Sequence, residues 1–297
     1  MLILGLDVGS SSVKAALLRK GKVVGRLARA SFATHFDGVR AEVDPTAILR
    51  AVSSAIAELG KGAKRAEAVG LSVMAPAWVA MDRKGKAITR VITHQDRRSA
   101  AVAVELERRV GERRFLQIAG NRPFPGGISC STAAWFAEHE PGVIRRADLI
   151  GHLNTFLHRQ MTGERVIDRS NASFTGLYET TKLGGWNEML CEAAGIGEGK
   201  LPEILESDQV GGNVTSDAAR KFGILAGTPV MAGWVDTTGA MVLGGIKAGR
   251  LLNVSGSTDV LALCTDRARP HRELLTRALG VGKWWLSVGT IAAAGSA

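Results

Sequence analysis

Two stretches at opposite ends of this chain share one plan: an apolar strand, a bend of glycine and serine, and a second apolar strand. The first is Asp7-Val8-Gly9-Ser10-Ser11-Ser12 followed by Val13 to Leu18. The second is Asn253-Val254-Ser255-Gly256-Ser257-Thr258 followed by Asp259 to Cys264. Bends this short reverse the chain, so each stretch is confined to an antiparallel strand pair. The shared plan suggests an internal repeat. A second copy starting near residue 250 would stop partway, because the chain ends at residue 297.

Between the two copies the periodicity changes repeatedly. Lys20-Gly21-Lys22 turns the chain into Val23 to Ala30, which completes a three-stranded meander. Asp44 is placed to cap a helix with Pro45 at its first position. Ile48, Leu49, Val52, Ile56 and Leu59 then recur at helical spacing up to Gly60. Val69 to Met74 reads as a buried strand, and Val79 to Asp82 with Ala87 to Ile92 as a hairpin around Arg83-Lys84-Gly85-Lys86. Helices are expected from a Ser99 cap to Val110 and from a Ser131 cap to His139, the latter ended by Pro141. An amphipathic helix is expected over 148–162, a short helix over 216–221, and a buried strand over Pro229 to Val235. Strands followed by alternating helices and strands give an α/β fold.

Hydrophobic residues at 45 % and charged residues at 22 % are ordinary globular usage and exclude a disordered chain. No apolar run approaches the ~20 residues of a membrane-spanning helix. The N-terminus has no basic segment before its apolar residues and does not read as a signal peptide. Cys130, Cys191 and Cys264 are scattered, which suits reduced thiols in a cytoplasmic protein, and no zinc-ligand spacing occurs. The net charge of +10 admits an anionic partner, either nucleic acid or a phosphorylated small molecule. The basic pairs Arg97-Arg98, Arg108-Arg109, Arg113-Arg114 and Arg145-Arg146 are separated by acids and apolar residues, as on a solvated surface. No nucleic-acid partner and no membrane partner are expected.

Several residues have the chemistry of a site. A Gly/Ser bend can present backbone N–H groups to phosphate oxygens. Asp7, one strand position before the bend, would repel a phosphate unless Mg²⁺ stood between them. Lys14 on the following strand would neutralise one. Asp236 ends the apolar run from Pro229, ahead of Thr237-Thr238-Gly239-Ala240. It stands either as a catalytic carboxylate at the C-terminal edge of a strand or as a helix cap. His94-Gln95-Asp96-Arg97-Arg98 could hold a polyhydroxylated ligand, and Asp96 could equally pair with an adjacent arginine. Trp78, Trp186, Trp234, Trp284 and Trp285 either stack on a sugar or pack in the core.

Taken in order, these residues resemble the FGGY carbohydrate kinases. Asp7 to Lys14 is similar to that family's first phosphate motif. His94 to Arg98 stands where the family often has tryptophan, a polar residue, aspartate and arginine. The resemblance runs on through Leu157 to Gly163, Asp168 to Ser173, Leu201-Pro202-Glu203, Gly227-Thr228-Pro229-Val230 and Asp236, and it ends with Ser255-Gly256-Ser257-Thr258, similar to the second phosphate motif.

The resemblance implies an actin-like fold of two ribonuclease-H-like domains: residues 1–245 as a sugar-binding domain and 246–297 as the beginning of an ATP-binding domain. Thr290 to Ala297 would then start a helix of that second domain. A truncated chain, with little or no kinase activity by itself, is the corresponding expectation. The resemblance implies ATP as phosphoryl donor and Mg²⁺ at Asp7. It places Gly9, Ser10, Ser11, Ser12, Lys14, Ser255, Gly256, Ser257 and Thr258 around the phosphates, and makes Asp236 the base. Sugar contacts would come from Met74, Ala75, Pro76, His94, Asp96 and Asp236. Glycerol kinases carry arginine and glutamate where this chain has Ala75-Pro76, which disfavours glycerol. Xylulokinases often have methionine–histidine at that place, and this is absent too. The overall pattern is nearest the xylulokinase-like branch, so a ketopentose such as xylulose is the expected substrate. A non-catalytic sugar-binding or regulatory relative is the alternative, and a homodimer is compatible with either.

Overall fold

The computed structural model describes residues 1–254 and 258–292. β1 (Leu2–Val8), β2 (Ser12–Arg19) and β3 (Lys22–Ser31) form the expected antiparallel meander. β1 buries Leu2, Leu4, Leu6 and Val8 and leaves the alternate residues, Asp7 among them, on a less covered face. This is the two-residue period of a strand with one face in the core. β4 (Thr34–Asp37) and β5 (Arg40–Val43) pair next. α1 (Pro45–Glu58) is capped by Asp44, whose carboxylate accepts from Thr46 N–H at 2.8 Å. It packs Ile48, Val52 and Ile56 into the same core as β1.

β6 (Ala68–Val73), β7 (Ala77–Met81) and β8 (Val91–Thr93) follow. The expected hairpin is present, but its second arm is short: β7 pairs β8 at Ala77 and Trp78, and closer to the turn only Met81 bridges Ala87. α2 (Ala100–Val110), α3 (Glu112–Ala119), α4 (Cys130–His139) and α5 (Pro141–Arg146) make a helical layer. Neither expected serine cap forms. The hydroxyls of Ser99 and Ser131 bond each other at 3.1 Å, and Ser131 lies inside α4 rather than at its start. Pro141 opens α5 as well as closing α4, because a missing N–H costs nothing at a first helical position.

Residues 148–162 are not one helix. Leu149 to His152 form β9, paired with β7, and α6 (Leu153–Met161) begins only after it. Leu149 and Ile150 are compatible with helical spacing, but a partner strand is available, and all four residues of β9 are buried.

β10 (Val166–Asp168), α7 (Arg169–Ala172), α8 (Glu188–Ala193), β11 (Glu203–Leu205), β12 (Val210–Asn213) and α9 (Ser216–Phe222) lead back to the first sheet. There the run Pro229 to Val235 is broken into β13 (Pro229–Met231) and β14 (Trp234–Val235), and α10 (Asp236–Leu243) follows directly. The first sheet runs β12-β13-β6-β1-β2-β3, with β14 also on β6. A second sheet runs β4-β5-β8-β7-β9, and β10 pairs β11. The third, β15 (Leu251–Val254), β16 (Thr258–Thr265), β17 (Leu275–Ala278) and β18 (Trp285–Ala292), has the order β15-β16-β18-β17.

The sequence echo is thus matched by two antiparallel pairs, β1–β2 and β15–β16. Thr290 to Ala292 finish β18 rather than starting a helix. The expected helix residues beyond them, and the bend Ser255-Gly256-Ser257, lie outside the described residues.

Arg98 ties the second sheet to its helical layer. Its buried guanidinium donates to both oxygens of Asp96 and to Glu42 on β5, and Asp96 also accepts from Ala41 N–H at 2.8 Å. Removing Asp96 leaves the buried Arg98 charge to Glu42 alone. Asp96→Ala is expected to cost about 3–5 kcal/mol in urea unfolding. A loss below about 1 kcal/mol would mean that solvent already compensates Arg98.

Candidate functional site

The site lies where three parallel strands end together. Asp7 on β1 is level with Ser72 on β6, and Val8 with Val73. On the other side of β6, Val235 on β14 is also level with Val73. Asp236, one residue further, therefore emerges at the same C-terminal edge as Asp7. Asp236 stands at the expected strand edge, but it is the first residue of α10 rather than its cap; its carboxylate accepts from Thr237 N–H at 2.6 Å. Val235 is the flanking residue, and its N–H donates to Ser170 Oγ at 3.0 Å. That hydroxyl donates in turn to the buried Asp168 carboxylate.

Burial pushes the Asp236 carboxyl up to about 6. Its bond from Thr237 opposes the shift, the neighbouring Asp7 adds to it, and Arg277 and Lys14 oppose it. A carboxylate so placed is ionised near neutrality yet far more basic than a free one, as suits a group that orients a hydroxyl and accepts its proton.

Asp7 is bonded on both oxygens: Ser72 Oγ donates to Oδ1 at 3.1 Å and Lys14 Nζ to Oδ2 at 3.3 Å. Lys14 faces it directly across the β1–β2 pair. Both side chains remain well exposed, so the ammonium can move to a phosphate and free a carboxylate edge. One accessible carboxylate with room for water is a suitable holder for Mg²⁺, which keeps most of its hydration and shares phosphate oxygens.

In the Gly9–Ser12 bend, Gly9 N–H is already spent on Ser12 O at 3.0 Å. Ser10 and Ser11 are exposed, and neither N–H has an acceptor among the described residues, so both are open to an anion. Thr258 starts β16; Ser255, Gly256 and Ser257 lie outside the described residues.

The expected sugar contacts fare unevenly. Met74 is 2 % exposed and belongs to the core; its N–H holds Val8 O at 2.9 Å. The cis-linked Ala75-Pro76 follows at the strand ends. His94 is partly covered, and burial together with Arg97 keeps it below the usual imidazole range. The Asp96 carboxylate is saturated by Ala41 and Arg98, so of its two expected roles the ion pair is the one formed. The tryptophans are largely engaged in packing. Trp78 stacks on Phe136 with ring centroids 4.6 Å apart, and the indoles of Trp234 and Trp285 donate to Leu279 O and Thr180 O.

Comparison with known proteins decides the family. Residues 2–243 match the N-terminal domain of the FGGY family of carbohydrate kinases. The chain belongs to that family. It is 32 % identical over 222 residues to a glycerol kinase of Thermococcus gammatolerans, covering 71 % of this chain and 44 % of the relative. It is 27 % identical over 263 residues to a xylulose kinase of Escherichia coli, covering 87 % of this chain and 53 % of the relative. The crystal structure of xylulose kinase from Rhodospirillum rubrum superposes over the whole chain and 62 % of its own, with a TM-score of 0.93 at 26 % identity. The fold is accordingly the actin-like ATPase fold of the FGGY kinases. The chain spans about half the length of the curated relatives it matches.

Three side chains of this candidate site escape a reading of the sequence. Ser72 meets Asp7 only through strand register, and Ser170 reaches Val235 from 65 residues away. Arg277 approaches from the third sheet. A lone arginine within the apolar stretch Leu274 to Leu279 is the one signal that marks it.

Proposed function

We propose that the chain carries the sugar-binding and base-bearing part of an ATP-dependent kinase that phosphorylates a hydroxyl of a ketopentose such as xylulose. The observation that carries this reading is the Asp236 carboxylate beside Asp7 and Lys14 at one strand edge, with a carboxyl held near 6.

In this reading Asp236 hydrogen-bonds the acceptor hydroxyl, aims its oxygen, and takes its proton as the oxygen bonds to phosphorus. The transition state is loose, so positioning contributes more than base strength. Lys14 and the open N–H groups of Ser10 and Ser11 meet the phosphates. Mg²⁺ held at Asp7 would neutralise phosphate charge. Residues 1–245 form the sugar domain and 246–297 open the nucleotide domain, and the protein works in the cytoplasm.

A ketopentose is favoured over glycerol by Ala75-Pro76, which brings no charged pair to the strand ends, and by matches to xylulose kinases that extend over as much as 91 % of the chain. A coupled ADP-release assay tests this with the chain joined to a C-terminal half of the kind its relatives carry, against ketoses, glycerol and polyols. Turnover is expected with a ketopentose. Sugar binding in calorimetry with no ADP released from any acceptor would instead identify a sugar-binding relative without catalysis.

The pH profile follows from the raised carboxyl. kcat/KM should fall on the acid side with a midpoint near 6, as Asp236 takes up its proton. A cation on Asp7 cancels its repulsion of Asp236 and so moves that midpoint downward. A flat profile between pH 5 and 8 would remove Asp236 from the base role.

A further inference from the structure

Arg277 is a buried cation with few partners among the described residues. It is 4 % exposed, and among the described residues no carboxylate lies within ion-pair distance of it. Its Nε–H has no acceptor, and its Nη1 makes a single long bond, 3.4 Å, to Thr237 Oγ1. Its guanidinium carbon lies 4.6 Å from the centre of the Phe174 ring, just after α7. A guanidinium does not shed its charge in a protein, and an uncompensated buried charge is costly. A methionine would pack on Phe174 equally well without that cost. That charge has one hydrogen-bond partner among the described residues, Thr237, and the carboxylate it interacts with is that of the preceding residue, Asp236.

We propose that Arg277, brought by β17 of the third sheet, is a positioning residue for Asp236. It supplies the counter-charge behind the carboxylate and, through Thr237, steadies the first turn of α10 that aims it. This rests on the reading of Asp236 as the base. The charged groups facing that carboxylate are Asp7 from β1, Lys14 from β2 and Arg277 from β17. Lys14 is exposed and screened by solvent, and it leaves for the phosphates when they bind. Arg277 is buried and cannot leave, so it is the cation that persists through a catalytic cycle. It also stands on a different sheet from Asp7 and Lys14, which makes the charge state of the base depend on how the third sheet sits against the first.

The burial of both groups supports the same picture. Desolvation lowers the Arg277 guanidinium to about 10, and the Asp236 charge opposes that shift, while Arg277 lowers the Asp236 carboxyl against its own burial.

The test is carbon-detected NMR titration of the Asp236 carboxyl in the magnesium-free chain, assigned with Asp236→Asn. Arg277→Met should raise the Asp236 midpoint by about one pH unit, a tenfold gain in proton affinity. Arg277→Lys should recover at least half of the shift, whereas Lys14→Met should move it less. A folded Arg277→Met or Arg277→Gln chain whose Asp236 midpoint is unchanged would overturn the proposal and leave Arg277 as a packing residue. If both variants unfold, the readout is the Arg277 Nε–H resonance of the wild-type chain. It should follow the Asp236 titration and lose that dependence in Asp236→Asn, and a signal indifferent to Asp236 would refute the proposal. The kinase reading fails separately, through absence of turnover in the ADP-release assay, whatever Arg277 does to the Asp236 midpoint.

Discussion

Asp236→Asn should reduce phosphoryl transfer by at least about 10³-fold while leaving the fold and the affinity for sugar within a few-fold of the original. The amide retains the size of the carboxylate and can still accept from Thr237 N–H, so α10 should start unchanged. What it loses is the basicity that lets a carboxylate oxygen take the acceptor's proton. It also loses the negative charge that Arg277 and Lys14 face. Replacing an acid partly destabilised by burial with a neutral group should, if anything, raise stability at neutral pH. The raised carboxyl means that folding works against ionisation: this cost is absent below the free carboxyl's range near 4, grows as pH rises, and is complete above about 6. ADP release measured beside thermal unfolding separates the outcomes. Retained turnover in a well-folded Asp236→Asn protein would assign the base elsewhere, whereas lost turnover with lost folding would say nothing for catalysis and count against the structural account of α10.

The second large effect concerns the backbone that delivers Asp236. Gly233 separates β13 from β14 at φ +93°, and its N–H donates to Ser207 O at 3.0 Å. A Cβ there would stand 2.7 Å from Leu71 O and 2.9 Å from Leu71 Cβ. Leu71 is in β6, which is held by β1 on one side and by β13 and β14 on the other, so it cannot yield. Gly233→Ala combines a disfavoured φ with a backbone clash and should lower stability by about 3 kcal/mol or more in urea unfolding. It should also depress turnover in protein that remains folded, since Trp234, Val235 and Asp236 follow directly. Stability within 0.5 kcal/mol of the original would show that the turn relaxes readily, against the packing described.

Gly233 also marks the limit of what the sequence makes legible. Pro229 to Val235 is one apolar run, and apolarity reports burial rather than direction. The break into two strands comes from the close approach of Leu71, a neighbour in space only. Likewise Leu149 to His152 fits a helix by spacing, and β7 alone makes it a strand. Where local chemistry is decisive, the sequence is enough: Asp44 and Pro45 start α1, the β1–β2–β3 meander follows its turns, and Asp7 and Asp236 emerge where strand ends are expected. Ser99 and Ser131 have the right residue type for caps, but the two hydroxyls find each other. Asp96 likewise has the right type for a ligand, but it is consumed by Arg98. Ser72, Ser170 and Arg277 depend on register and on packing between sheets, which no local pattern encodes.

Asn121, one residue away from Arg277 through its bonds to Thr276, bears on how the molecule can come apart. Its side-chain amide donates to Thr276 O at 2.8 Å and accepts from Thr276 N–H at 2.9 Å, mimicking a strand partner for β17. Ser173 Oγ takes Ala278 N–H, Gly280 O takes Ser207 N–H, and Trp285 donates to Thr180 O. β17 and the start of β18 are thus sewn to the part of the chain that precedes residue 245. A protease that cuts the glycine-rich connection between α10 and β15 would sever the polypeptide without freeing its two pieces. The covalent seam and the mechanical seam of this protein lie in different places.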